Sequence, residues 1–143
     1  MRSENNTLFL LDTSAWLAYM EDEEGADRVE EILKTGRILM PFMVLLEIYY
    51  ISYREKGEEI ANRRYALLKS LDFEFLWNLD EAILLTAGRF KALHRLSLAD
   101  AIIAAIAKIR GAILVHKDPE YEALGQEVDQ ECPIRKLKRR ICF

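Results

Sequence analysis

Four carboxylates stand where this sequence is otherwise apolar, and they are the residues best placed to do chemistry. Asp12 closes the short apolar run of residues 7–11. Glu47 lies within Val44-Leu45-Leu46-Glu47-Ile48, on the helical face of Met43 and Tyr50. Asp100 interrupts the apolar stretch 98–107, and Asp118 follows the run 112–115 after His116 and Lys117. An ionised side chain is costly to bury unless it is paired or bound to metal. Each acid has a plainer role too. Asp12 suits an N-cap for a helix starting near Ser14, Ser97-x-x-Asp100 reads as a capping box, and Asp118-Pro119 suits a capped turn with proline in first position. Glu47 fits such roles least, because a solvated Glu would lie opposite Met43 and Tyr50. These roles leave the conjunction unexplained. If the four acids converge, their like charges require a compensating cation.

An all-oxygen set without sulfur or histidine suits Mg²⁺ or Mn²⁺ rather than zinc. One such cation, or a pair roughly 3.5–4 Å apart, activates water for in-line attack on a phosphate and neutralises the charge that develops. Ser14 and Thr13 offer hydroxyls to that water or phosphate, although N-capping is the simpler role for Thr13. Glu120 is a candidate fifth acid, but an exposed first-turn position suits it better. Lys117, Arg89, Lys91 and Arg95 are candidates for phosphate contact. His94 and His116 are expected at the surface or at helix ends, since an activated water removes the need for an acid catalyst.

The elements that must position these groups can be read from apolar spacing. Residues 7–11 form a strand that turns at Asp12-Thr13-Ser14 into a helix. A second helix spans 26–34 and stops at Gly36, and residues 38–40 are a strand closed by Pro41. Helices follow over 42–56, with Met43, Leu46, Tyr50 and Tyr53 at helical spacing, and over 58–70, with Ile60, Leu67 and Leu68 turned inward. Residues 73–77 are short and aromatic and read as a strand, and 80–93 is helical. The segment from Ser97 is apolar nearly all round, as a buried helix is, and 112–115 is a strand. The stretch after Asp118 is less regular. Strands alternating with helices specify a parallel sheet covered on both faces, whose ligand site gathers at the carboxyl ends of strands. That rule points at Asp12 and Asp118.

A chain of 143 residues with 51% hydrophobic and 31% charged residues fits one globular domain and is too apolar for disorder. No run is long enough to span a bilayer, and residues 1–6 lack the order of a secretory signal, so a cytoplasmic location is expected. A net charge of −4 argues against coating nucleic acid by bulk electrostatics, although the terminal patch Arg135-Lys136-Leu137-Lys138-Arg139-Arg140 could still grip phosphates. Cys132 and Cys142 match neither a disulfide framework nor a zinc spacing and read as free thiols. Scarce Gln and Asn beside plentiful Glu, Lys and Arg hint at a heat-loving source.

Four segments, in order and spacing, resemble the acidic motifs of the PIN-domain family. They are Leu10-Leu11-Asp12-Thr13-Ser14, Leu45-Leu46-Glu47-Ile48-Tyr49-Tyr50, Leu98-Ala99-Asp100-Ala101-Ile102-Ile103-Ala104 and Val115-His116-Lys117-Asp118-Pro119-Glu120. The resemblance implies a single domain over 1–143, with a core of about 7–124 and a C-terminal extension of about 132–143. It further implies a three-layer α/β/α sandwich with a central parallel sheet. Asp12, Glu47, Asp100 and Asp118 would hold Mg²⁺ or Mn²⁺, and the chain would hydrolyse RNA phosphodiesters with Ser14, Thr13 and Lys117 positioning substrate or water. Compact members of this size look most like VapC toxins, which implies a homodimer and an antitoxin partner. By that likeness Trp16, Tyr19, Tyr49, Tyr50 and Tyr53 are candidates for the antitoxin groove, with core packing as their alternative. The family motifs do not cover the basic tail.

Competing readings remain at this point. A haloacid-dehalogenase-type phosphatase would also place an Asp after the first strand, but wants a second acid where Ser14 stands. A receiver domain would offer a phosphorylatable Asp without calling for Glu47. A PIN-like module that binds RNA or protein without cutting has no use for four buried negative charges.

Overall fold

The computed structural model describes residues 6–133. Its elements run β1 (Leu8–Leu11), α1 (Thr13–Met20), α2 (Ala26–Thr35), β2 (Arg37–Pro41), α3 (Phe42–Lys56), α4 (Glu58–Ser70), β3 (Glu74–Leu76), α5 (Glu81–Leu93), α6 (Leu98–Arg110), β4 (Ile113–Val115), a 3-10 segment (Pro119–Glu127) and β5 (Gln130–Glu131). All strand pairs are parallel, in the order β3-β2-β1-β4-β5. Every residue of β1 is buried, as is all of β2 after Arg37, so helices cover both faces of the sheet. This is the three-layer α/β/α sandwich expected from the alternating pattern.

Strand order decides where a site can form. The chain leaves β1 toward β2 and β3 on one side and returns through α6 to β4 on the other. The switch point therefore falls between β1 and β4, and in open parallel sheets the crevice at that point, outside the carboxyl ends, is the usual ligand site. The order also differs from the 2-1-3-4-5 order of receiver domains, which removes that reading.

Two glycines make the packing feasible. At Gly36 a Cβ would lie 2.5 Å from Cδ2 of Phe9, so only glycine lets the end of α2 pass the ring of β1. Gly111 ends α6 at φ 66°, the left-handed conformation that turns the chain directly into β4. Because α6 stops at the amino end of β4, its first turn lies at the carboxyl edge of the sheet. Pro41 places the start of α3 at that same edge.

Several expectations need correction. On α3 the buried residues are Val44, Leu45, Ile48 and Ser52, whereas Leu46, Tyr50 and Tyr53 are exposed. The buried face lies nearly opposite the expected one, because α3 is apolar or aromatic on most sides and spacing alone does not say which side is inward. Leu67 is exposed rather than inward, because α4 buries only Ala61 and Leu68. Trp16 is a core residue, fully enclosed between α1 and the sheet. Strand β5 was not anticipated, since two residues show no alternation. Cys132 is buried and disulfide-bonded rather than a free thiol; one pair needs only proximity, not the patterned framework sought in sequence. Cys142 and the basic residues 135–140 lie outside the described residues. Among the described residues no helix is long and apolar enough to cross a membrane.

Candidate metal centre

Asp12 is the first residue past β1 and the N-cap of α1. Its backbone N–H donates to Val115 O at 3.0 Å, which sets it beside His116 at the β1/β4 switch point. The carboxylate is buried and held on one side. Oδ1 accepts from Ala15 N at 3.0 Å and from Ser14 Oγ at 2.6 Å. Ser14 Oγ in turn accepts from Lys117 N at 2.9 Å, so one hydroxyl ties the β1 turn to the β4 turn. Lys117 thus enters through its backbone amide.

The other acids are braced in the same way by neutral donors. Thr13 Oγ1 donates to Glu47 Oε1 at 2.6 Å. Tyr121 Oη donates to Asp100 Oδ1 at 2.9 Å. Asp118 caps the 3-10 segment, with Oδ1 accepting from Glu120 N at 2.9 Å and Pro119 in the first position. Ser97 accepts from Asp100 N, so the expected cap of α6 is present. The capping roles and a shared site are therefore not exclusive. Among the described residues, no lysine or arginine pairs with any of these four carboxylates. Helix N-termini supply only partial positive charge at this edge.

Crowding and burial show in the acidities. Asp12 is pushed from 3.8 up to about 7, first by loss of solvent and further by the charges of Asp100 and Asp118, against the hydrogen bonds from Ser14 and Ala15. Burial also raises Glu47, opposed by Thr13 and reinforced by Asp100. Asp100 is raised by burial, opposed by Tyr121 and reinforced by Asp118. Asp12, Glu47 and Asp100 thus each feel at least one other acid of the set. The tightest group is Asp100, Asp118 and Glu120, whose ligand atoms lie within 4.8 Å of one another. Glu120 is exposed, as expected of a first-turn residue, yet it borders the cluster.

Beneath the acids lies a network that the sequence reading missed. His116 is fully buried, contrary to the expectation of a surface or helix-end position, because it continues β4 into the core. Its Nε2 lies 2.8 Å from Gln130 Oε1, while Gln130 Nε2 donates to the carbonyls of Tyr121 and Gly125, both at 3.2 Å. An amide nitrogen spent on two carbonyls turns its oxygen to His116, so His116 carries its proton on Nε2. Burial holds the imidazole pKa below its ordinary value, favouring the neutral ring. The Tyr121 ring packs 4.7 Å from that of His116, and burial raises its phenol well above the ordinary range. His94, by contrast, does end α5.

The whole-chain likenesses agree with this geometry. The PIN domain family matches residues 9–127. Ribonuclease VapC11 of Mycobacterium tuberculosis is 29% identical over 130 residues, covering 83% of this chain and 92% of the relative. Among solved structures, VapBC-1 of nontypeable Haemophilus influenzae superposes with a TM-score of 0.70 at 21% identity, over 89% of this chain and 98% of that one. VapBC2 of Rickettsia felis, bound to a DNA fragment from its promoter, gives 0.69 at 19% identity over 87% and 98%. The sheet order, the acids at its switch point and a match over most of the length converge on one assignment: the chain belongs to the PIN-domain family.

Proposed function

We propose that this protein is a divalent-metal-dependent endoribonuclease and the toxin of a toxin–antitoxin pair, acting in the cytoplasm. The observation that carries the reading is the set Asp12, Glu47, Asp100 and Asp118: repelling one another, partly or fully desolvated, and, among the described residues, hydrogen-bonded only to neutral groups. Such a set is unfavourable for a bare protein and fits a hard divalent cation with oxygen ligands. Mg²⁺ or Mn²⁺ would be held by these four carboxylates. When bound, it supplies the Lewis acidity that activates water and offsets charge on the phosphate.

The chain's own groups set the geometry. Ser14 and Thr13 spend their protons on Asp12 and Glu47, so they orient ligand oxygens rather than contacting phosphate directly. The Lys117 amide fixes Ser14, and its side chain is the cation we assign to phosphate contact. The relatives named ribonuclease and the neighbours solved as VapBC assemblies support RNA as substrate and an antitoxin as partner.

Incubating the purified chain with mixed RNAs, with and without Mg²⁺ or Mn²⁺, tests the proposal. Cleavage should require the ion and vanish in Asp12→Asn, Asp100→Asn and Asp118→Asn while circular dichroism is retained. Normal cutting by those variants would remove the acids from the reaction.

A further inference from the structure

An aromatic ladder climbs one face of the sheet edge. Trp16 and Phe73 rings are 5.6 Å apart, Phe73 and Phe75 6.1 Å, and Phe75 and Trp77 5.9 Å, the last pair stacked within 13° of parallel. Its lowest rung, Trp16, is fully buried, whereas its top rung, Trp77, is 46% exposed. Residues 73, 75 and 77 share a face because side chains alternate along a strand. Core packing accounts for the lower rungs. It does not account for the largest side chain lying open at the top.

The open rung sits at the same edge as the acids. Phe9 pairs with Ile38, so three residues on Asp12 stands level with Pro41, which pairs with Leu76. Trp77 is one residue beyond that row, two interstrand steps from Asp12, or roughly 10 Å. Lys69 places Nζ 4.7 Å from the Trp77 ring centre and 5.1 Å from that of Phe75. It is exposed and makes no ion pair with an acid among the described residues. Lys69 covers one side of these rings by cation–π contact without an acidic partner among the described residues, and an exposed aromatic ring beside such a cation is what single-stranded nucleic acid needs: a face for a base and a charge for its phosphate.

We infer that Trp77, backed by Phe75 and flanked by Lys69, is a stacking platform for an unpaired base of the RNA that flanks the cleaved bond. The inference rests on the ribonuclease reading for its substrate but concerns binding, not chemistry. It commits to RNA rather than a second copy of the chain, because the Lys69 charge at the ring and the position along the sheet edge both favour a polyanion that also reaches the proposed metal centre.

The test uses the full chain in EDTA at low salt, so that no RNA is cut, with single-stranded oligoadenylate as probe. Trp16 is buried and Trp77 is open, so stacking should quench most of the solvent-accessible tryptophan emission, and Trp77→Phe should lose that signal while retaining affinity measured by anisotropy of end-labelled probe. Trp77→Ala should weaken binding on the order of tenfold. Lys69→Gln should weaken it less and flatten its salt dependence. Unchanged affinity in a folded Trp77→Ala protein would overturn the platform, as would unquenched emission at saturating probe. A shift of Trp77→Ala toward monomer in sedimentation, with RNA affinity unchanged, would also overturn it by making this face a contact between copies. Cleavage by the wild type in Mg²⁺ or Mn²⁺ is read separately: its absence beside intact quenching counts against the nuclease alone, and its presence beside absent quenching counts against the platform alone.

Discussion

Tyr121 reaches from the 3-10 segment into the first turn of α6 and donates its phenolic proton to Asp100 Oδ1 at 2.9 Å. The ring is fully enclosed, packed on His116, and its hydroxyl is the only tyrosine hydroxyl among the described residues that touches Asp12, Glu47, Asp100 or Asp118. The contact orients Asp100 and stabilises its ionised form, opposing the effect of burial.

Tyr121→Phe should therefore keep the packing and lose the brace. A hydrogen bond to a charged group contributes about 1.5–3 kcal/mol, so Mn²⁺ affinity at neutral pH should fall roughly tenfold or more by isothermal titration calorimetry. Unaltered affinity would show that the phenol does not tune Asp100.

Protonation of Asp12 should couple to stability. Its folded pKa, about 7, lies above the unfolded value of 3.8, so the native state holds this proton more tightly. Without metal, the carboxyl's contribution is most favourable below pH 4 and is lost as pH rises toward 7, a change on the order of 4 kcal/mol. His116 acts oppositely, because its lowered pKa makes the native state lose stability as pH falls. Comparison with Asp12→Asn isolates the acid. In chelator, the variant should gain stability over wild type between pH 5 and 8 in urea titrations, and a pH-independent difference would contradict a raised Asp12.

Saturating metal should reverse that trend by binding only the native state. At 100-fold over Kd, Mg²⁺ or Mn²⁺ contributes about 2.7 kcal/mol, or roughly 10 °C in Tm for a domain of this size. Asp118→Asn should lose most of that increment. A flat Mg²⁺ and Mn²⁺ titration by differential scanning calorimetry would argue against a preformed centre.

Away from the acids, Arg28 and Glu131 form a buried pair, with Nε to Oε2 at 2.5 Å and Nη2 to Oε1 at 3.1 Å, joining α2 to β5. Removing one partner leaves an uncompensated buried charge. Arg28→Met should cost about 3–5 kcal/mol, whereas adding Glu131→Leu to it should recover much of the loss. Equal instability of the single and double variants would mean that packing, not charge, dominates there.

The sequence makes the site legible because its acids lie at places that local rules locate independently. Asp12 ends an apolar run, Asp100 follows a helix-start serine, and Asp118 precedes a proline. Glu47 lies on α3 within reach of Thr13, but the apolar face of that helix was misassigned: Val44, Leu45 and Ile48 project to nearly the opposite side from Met43, Leu46 and Tyr50, and a helix apolar or aromatic on most sides gives little contrast to say which side is inward. The supporting partners were not legible. Tyr121, His116 and Gln130 meet through the pairing of β4 with a two-residue strand, and nothing in residues 128–132 alternates strongly enough to reveal it. Long-range pairs such as Arg28–Glu131 leave no local trace at all.

The bond from Asp12 N to Val115 O joins the first strand to the fourth across more than a hundred residues. Until β4 has been made and has docked, Asp12 and Glu47 lack their companions from the other half of the sheet. A chain growing from its amino end would carry two of the four proposed ligands yet remain unable to assemble the centre. On the proposed reading as a toxin, translation must pass Asp118 before the molecule can cut RNA, which leaves an antitoxin almost the whole period of synthesis in which to be ready.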